Sequence, residues 1–143
     1  MGDACEMPLR NATPAELQLI LTAGRTVAVV GLSDKPERDS HRVAAYLQQQ
    51  GFRIIPINPH VAEVLGEKAY SSLLGVREPV DIVDIFRKPE AVPGVVGEAI
   101  LIGAKAVWMQ KGIVHNTAAE KARQAGLKVV MNKCIMVEHQ SLQ

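Results

Sequence analysis

The chain has 143 residues, 48% apolar and 22% charged, with a formal net charge of +1; that length fits one domain able to bury roughly 70% of the surface its unfolded form exposes. The near-neutral balance lacks the basic excess of a nucleic-acid binder, and no apolar run is long enough to span a membrane or to follow a basic start as a signal peptide. Cys5 and Cys134 lie far apart, match no metal-ligand spacing, and read as thiols of a reducing, cytoplasmic compartment.

Aromatic residues make up only 3% of the chain, so the core must be built from Val, Ile, Leu and Ala, which suits parallel strands covered by helices. Residues 1–12 are expected to form a flexible terminus ahead of one domain covering residues 1–143. Thr13 and Glu16 then make a capping box with Pro14 at the first helical position, and Gly24 suits the end of that helix. Five β-branched runs follow: "TVAVVG", "FRIIPIN", "VDIVDIF", "KAVWMQ" and "LKVVMN". Between them "HRVAAYLQQQG" reads as a helix stopping at Gly51, and "KAYSSLLGVREP" has room for only a short helix. "PEAVPGVVGEAILIGA" is a helix weakened early by Pro93, Gly94 and Gly97, and "NTAAEKARQAG" runs as a helix from Asn116 to Gly126.

Apolar strands alternating with helices imply an α/β fold: a single doubly wound, Rossmann-like domain with a five-stranded parallel sheet and helices on both faces. The expected strand order is 3-2-1-4-5. In such sheets ligands bind beyond the carboxyl ends of the strands where the winding reverses. Those ends read "GLSDK", "INPH", "FRKPE", "MQKG" and "NKCIM".

Gly31 allows a sharp turn and close approach to a ligand, with free amides of the next helix offered to an anion. A dinucleotide fingerprint needs G-x-G-x-x-G, but Ser33 and Pro36 occupy the later glycine positions. The second strand ends at Asn58-Pro59, without the carboxylate that would hold a ribose diol. Lys35, Arg38, Arg42, Arg87 and Lys88 fall on the same edge of the sheet, which suits a ligand with several phosphates: NADP or coenzyme A. Each cation taken alone is equally well a solvated rim residue, Asn58-Pro59 a plain turn, and Pro89 a helix-starting proline.

Together, "VAVVGLSDKPERDSHRVAAYLQQQGFRIIPINP", "VDIVDIFRKPE", "VWMQKGI" and "VVMNKCIMVEH" resemble the small stand-alone CoA-binding proteins, relatives of the CoA-binding domain of the succinyl-CoA synthetase alpha subunit. The resemblance runs from about Thr13 to His139. It implies coenzyme A or an acyl-CoA bound across the carboxyl edge, with phosphates at Gly31, Ser33 and Lys35 and assistance from Arg42. Asn58 and Pro59 would border the nucleoside, Phe86, Arg87 and Pro89 would form the opposite wall, and Gln110 with Gly112 would close the pocket. Asp34 and Pro36 depart from the small residues of the family loop. The chain stops before the synthetase subunit's second domain, with its phosphorylated histidine, would begin, so ligase chemistry does not carry over.

His41, His60, His115 and His139 are scattered and compose no catalytic triad or metal motif, so no catalytic or metal-binding residue is assigned. His41 and His60 could touch a phosphate, a reading set against that of ordinary exposed histidines, which is favoured. Cys134 beside Lys133 is the one candidate nucleophile, set against its reading as part of an apolar segment, "CIMVEH", packed at the sheet edge. Glu138 and His139 read as a polar terminal turn. The expected function is a non-catalytic carrier, sensor or regulatory module, as a homodimer or with an acyl-CoA enzyme as partner. Its rivals are an NADP-dependent oxidoreductase, a CoA-thiol enzyme using Cys134, and a nucleotide-responsive interaction protein.

Overall fold

A computed structural model describes residues 6–143; Cys5 and the start of the expected flexible terminus lie outside the described residues. Helix α1 spans Pro14–Ala23 with the complete Thr13/Glu16 capping box. The amide of Thr13 bonded to the Glu16 carboxylate holds that carboxyl below its ordinary range. Strand β1 (Thr26–Val30) leads through a long loop to α2 (Asp39–Gln49) and β2 (Arg53–Ile57). A small hairpin, β3 (Glu63–Val64) and β4 (Glu67–Lys68), follows, with a 3-10 turn at Leu73–Gly75 where a short helix is expected. Then come β5 (Ile82–Ile85), α3 (Val92–Leu101), β6 (Ala106–Met109), α4 (Asn116–Gln124), β7 (Lys128–Val130) and α5 (Ile135–Gln140). No helix among the described residues is long and apolar enough to cross a membrane.

The five long strands are parallel, as expected, and helices cover both faces of the sheet. Successive strand residues point to opposite faces. Val27, Val29, Ile54, Ile82 and Trp108 therefore pack under α1, α2 and α5, through residues such as Leu17, Leu47 and Ile135. Ala28, Val30, Val83, Ile85 and Val107 pack under α3 and α4, where Val96, Ala99, Ala118 and Ala122 let the helices sit close. Being buried on both faces is why the central strands read as continuous apolar runs.

The strand order is β2-β1-β5-β6-β7, which in the numbering of the five expected strands is 2-1-3-4-5 and corrects the expected 3-2-1-4-5. The outer edge of β2 is already taken: the Tyr70 amide donates to Pro56 O and its carbonyl accepts from the Asn58 amide. The third strand instead joins the free edge of β1. There the Asp81 carboxylate accepts from the amides of Arg25 and Thr26 at 2.8 and 3.0 Å, fixing the register at the strand start. Burial pushes the Asp81 carboxyl up, but those two amides and Lys105 together outweigh it and hold it below its ordinary value.

In the terminal segment "CIMVEH" Ile135, Cys134 and Met136 pack against the core as expected of an apolar segment, but Ile135–Gln140 form α5, so Glu138 and His139 lie in a helix and not in a polar turn. Ile135 drives its burial, and His139 Nδ1 lies 2.7 Å from the Tyr46 hydroxyl on α2, with Phe52 edge-on to the imidazole. At the other end, residues 6–12 run beside α4 and β7. The Glu6 carboxylate and Met7 carbonyl accept from Asn116, and Asn11 exchanges two hydrogen bonds with the backbone of Met131.

Candidate functional site

The winding reverses between β1 and β5, since β2 lies on one side of β1 and β6 and β7 on the other. At that point the loop after β1 meets the ends of β5 and β6. Gly31 is required there: its φ is +88°, and a Cβ would stand 2.6 Å from the Phe86 carbonyl oxygen. No side chain fits, so the loop passes tight against the end of β5.

The loop is held by its own polar groups. The buried Ser40 hydroxyl, in the first turn of α2, accepts from the Ser33 amide at 3.0 Å, while Ser33 Oγ accepts from the Lys35 amide at 3.0 Å. From the neighbouring strand end, Asn58 Nδ2 donates to Leu32 O at 2.9 Å and its Oδ1 accepts from the His60 amide at 2.8 Å. Helix α2 has no side chain capping its first amides, so its amino terminus is open to an anion.

Three hollows lie along this edge. One, between the ends of β1 and β2 and the start of α3, is walled by Val30, Pro59, Leu73, Arg87 and Gly94. The next, over the start of α2, takes in Gly31, Ser33, Arg38, Ser40 and Phe86. The third is a cleft of about 520 Å³ beyond β5 and β6, with Arg42, Phe86, Arg87, Pro89, Gln110 and Gly112 among its walls. Phe86 is common to the second and third, Arg87 to the first and third, so the hollows adjoin around one pair of residues. Among the described residues Arg38, Arg87, Lys88 and Lys111 have no carboxylate partner, whereas Arg42 is paired with Asp39.

The structure thus brings together Gly31, Ser33, Arg42, Pro59, Phe86, Arg87, Pro89, Gln110 and Gly112. Lys35 stands exposed outside the walls of these hollows, and both polar ends of Asn58 are spent on the backbone. Cys134, read as part of the packed terminal segment, is half-buried and lines the cleft beside Met136. Gln110 is 5% exposed, with its Oε1 accepting from the Ile135 amide at 3.1 Å, so it stitches the end of β6 to the start of α5. Gly112, at φ +88°, donates its amide to Asn132 Oδ1 at 2.7 Å. A smaller hollow at the opposite edge is walled in part by Arg10 and Arg123, both of which pair with Glu120.

Two residues escape the sequence reading. Ser40 looks like an ordinary helix-start serine, and its role follows only from the fold-back of the loop. Asp84 is more informative. It sits mid-strand in β5, opposite Val29 and Trp108, with no exposed surface and no hydrogen-bond partner for either oxygen. Burial pushes its carboxyl well above the ordinary range. It shares a face with Phe86, two residues on, so it lies one strand step beneath the floor of the cleft. The signal in "VDIVDIF" is the second Asp, alone within an otherwise apolar central strand. No group of His, Cys, Asp or Glu among the described residues is arranged to hold a metal ion.

The model of a family described as a CoA binding domain matches residues 25–140. Over 131 residues the chain is 43% identical to the uncharacterized protein YneT of Bacillus subtilis (strain 168), covering 92% of this chain and 97% of that one. The solved structure of a hypothetical protein from Pyrococcus horikoshii OT3 superposes with a TM-score of 0.90 at 41% identity, covering 96% of each chain. The ADP-forming acetate–CoA ligase of Methanocaldococcus jannaschii is 27% identical over 119 residues, covering 78% of this chain but only 17% of that much longer protein.

Proposed function

Because the chain belongs to the CoA-binding domain family, we propose that it binds coenzyme A or an acyl-CoA in the hollows along the carboxyl edge, as one domain. The observation that carries this reading is the clustering of Arg38, Arg87, Lys88 and Lys111, none of them ion-paired among the described residues, around a loop that Gly31 presses against β5. Such cations, with the open start of α2, suit phosphate oxygens. Arg87, standing in two of the hollows, and the loop from Gly31 to Ser33 hold the phosphates. Pro59 and Val95 offer apolar surface to the base, and the cleft beyond Phe86 takes the pantetheine arm. A nicotinamide dinucleotide is less well served, because the residue that follows β2 is Asn58, already spent on the backbone, where a ribose-binding carboxylate would stand.

The role we assign is holding rather than reacting: a cytoplasmic carrier, sensor or regulatory module that presents its ligand to an acyl-CoA enzyme or works as a pair of identical chains. Two of the histidines have structural tasks. His115 caps α4 by accepting from the Ala118 amide, and His139 joins α5 to Tyr46. Titration calorimetry with CoA, acetyl-CoA, NAD and NADP tests the reading. CoA and acetyl-CoA should bind, more weakly as salt is raised; NADP binding without CoA binding would overturn it.

A further inference from the structure

The lining of the cleft includes a side-chain hydrogen-bond donor that has no partner among the described residues. Gln110 is 95% buried, being 5% exposed, and its Oε1 must face the Ile135 amide, because a backbone N–H can bond only an acceptor. That fixes the carboxamide's orientation and leaves Nε2 on the other side, with no hydrogen bond among the described residues. Among the described residues the only side-chain polar atoms that are both enclosed and unpartnered are the two oxygens of Asp84, so Nε2 keeps contact with the cleft that Gln110 lines.

Its position says which part of a ligand meets it. The phosphates are assigned to Arg87 and the loop after β1; the end of β6 that carries Gln110 lies one strand beyond Arg87 and two strands, roughly 10 Å at the usual strand spacing, beyond that loop. What arrives at Gln110 is therefore the phosphate-free end of the ligand. Gln110 also ties β6 to α5, and Val43, Ile113 and Met136 supply apolar lining to the same cleft. A free thiol is a weak acceptor and leaves Nε2 unmatched, whereas a thioester brings a carbonyl oxygen. Resting on the CoA-binding reading, we propose that Gln110 Nε2 donates to the carbonyl oxygen of a short acyl thioester, so that the cleft selects acyl-CoA over free CoA.

Calorimetry with three probes separates the contributions: CoA, acetyl-CoA, and S-ethyl-CoA, a thioether of similar size without the carbonyl. The wild type should bind acetyl-CoA about tenfold more tightly than either of the others, the worth of one good neutral hydrogen bond. Gln110→Glu keeps an acceptor for Ile135 but removes the donor, and should bring the acetyl-CoA to CoA ratio to about one. Gln110→Met should do the same, with circular dichroism confirming the fold of both variants. Equal binding of acetyl-CoA and S-ethyl-CoA by the wild type, or a ratio unmoved in Gln110→Glu, would overturn the Gln110 assignment alone. Failure of the wild type to bind any of the three probes would overturn the CoA reading and this inference with it.

Discussion

Replacing Asp84 by Leu should make the protein more stable. The two side chains share a branched shape, two methyls standing where Asp84 has two enclosed oxygens without partners. Leaving such polar atoms unsatisfied costs about 1–3 kcal/mol, and in a domain of this size each kcal/mol moves Tm by about 2–4 °C. A gain of about 2 kcal/mol, or about 6 °C, is expected for Asp84→Leu at neutral pH. The gain must also depend on pH. Asp84 has its folded-state pKa raised, so the native chain keeps a proton that the unfolded chain releases. Its contribution is most favourable below the ordinary Asp range and is lost as pH rises from there towards the raised value, at up to about 1.4 kcal/mol per pH unit. Asp81, three residues earlier and held low, has the opposite sign: its contribution is present above the ordinary range and lost as pH falls through its depressed value. Urea titrations of the wild type and Asp84→Leu from pH 4.5 to 7, followed by circular dichroism, isolate the Asp84 part as a difference. The gap between the two proteins should widen with pH, and Asp84→Asn should show the flattened pH dependence with a smaller gain. A Leu variant no more stable than wild type at pH 7, or a gap that does not widen, would refute the burial argument.

Gly31→Ala should cost about 2 kcal/mol or more in urea titrations, since its Cβ meets the Phe86 carbonyl and its φ is positive. Gly112→Ala, at the same φ of +88° but with nothing within 4 Å, should cost about 1 kcal/mol; equal losses would remove the close-approach account of Gly31. Arg87→Ala should weaken CoA binding about tenfold or more and flatten its salt dependence, as expected for a lost charge-assisted contact, while Lys35→Ala changes it less. A larger loss in Lys35→Ala would move the phosphate path outward along the loop.

The sequence patterns that proved legible are those governed by local physics. The Thr13/Glu16 capping box, the buried strands and the glycines closing α2 and α4 each follow from a neighbour-scale rule. The strand order was not legible, because β1 offers two edges to the third strand and the choice depends on Tyr70 and Asp81 binding distant backbone. The two-residue strands Glu63–Val64 and Glu67–Lys68 are too short to show a period, and α5 hides in an apolar run that would serve a strand equally well. At the candidate site, Gly31 and Arg87 could be named because strand ends converge on one edge, whereas Phe86 and Gln110 came only from what the family resemblance implies. What could not be seen was division of labour: Asn58 and Ser40 hold backbone, Arg42 holds Asp39, and Gln110 faces two ways.

The clasp made by Asn58 bears on speed as well as shape. With its Nδ2 donating to Leu32 and its Oδ1 accepting from His60, Asn58 anchors the first residues of the loop after β1 to the neighbouring strand end. A loop so moored enters an encounter already in its working form, and little ordering entropy remains to be lost when a ligand arrives. Association should then be a single step whose rate scales with ligand concentration, without the plateau that a swinging lid imposes. Residence time, set by how many phosphate contacts must break together, would be where variants of this chain differ.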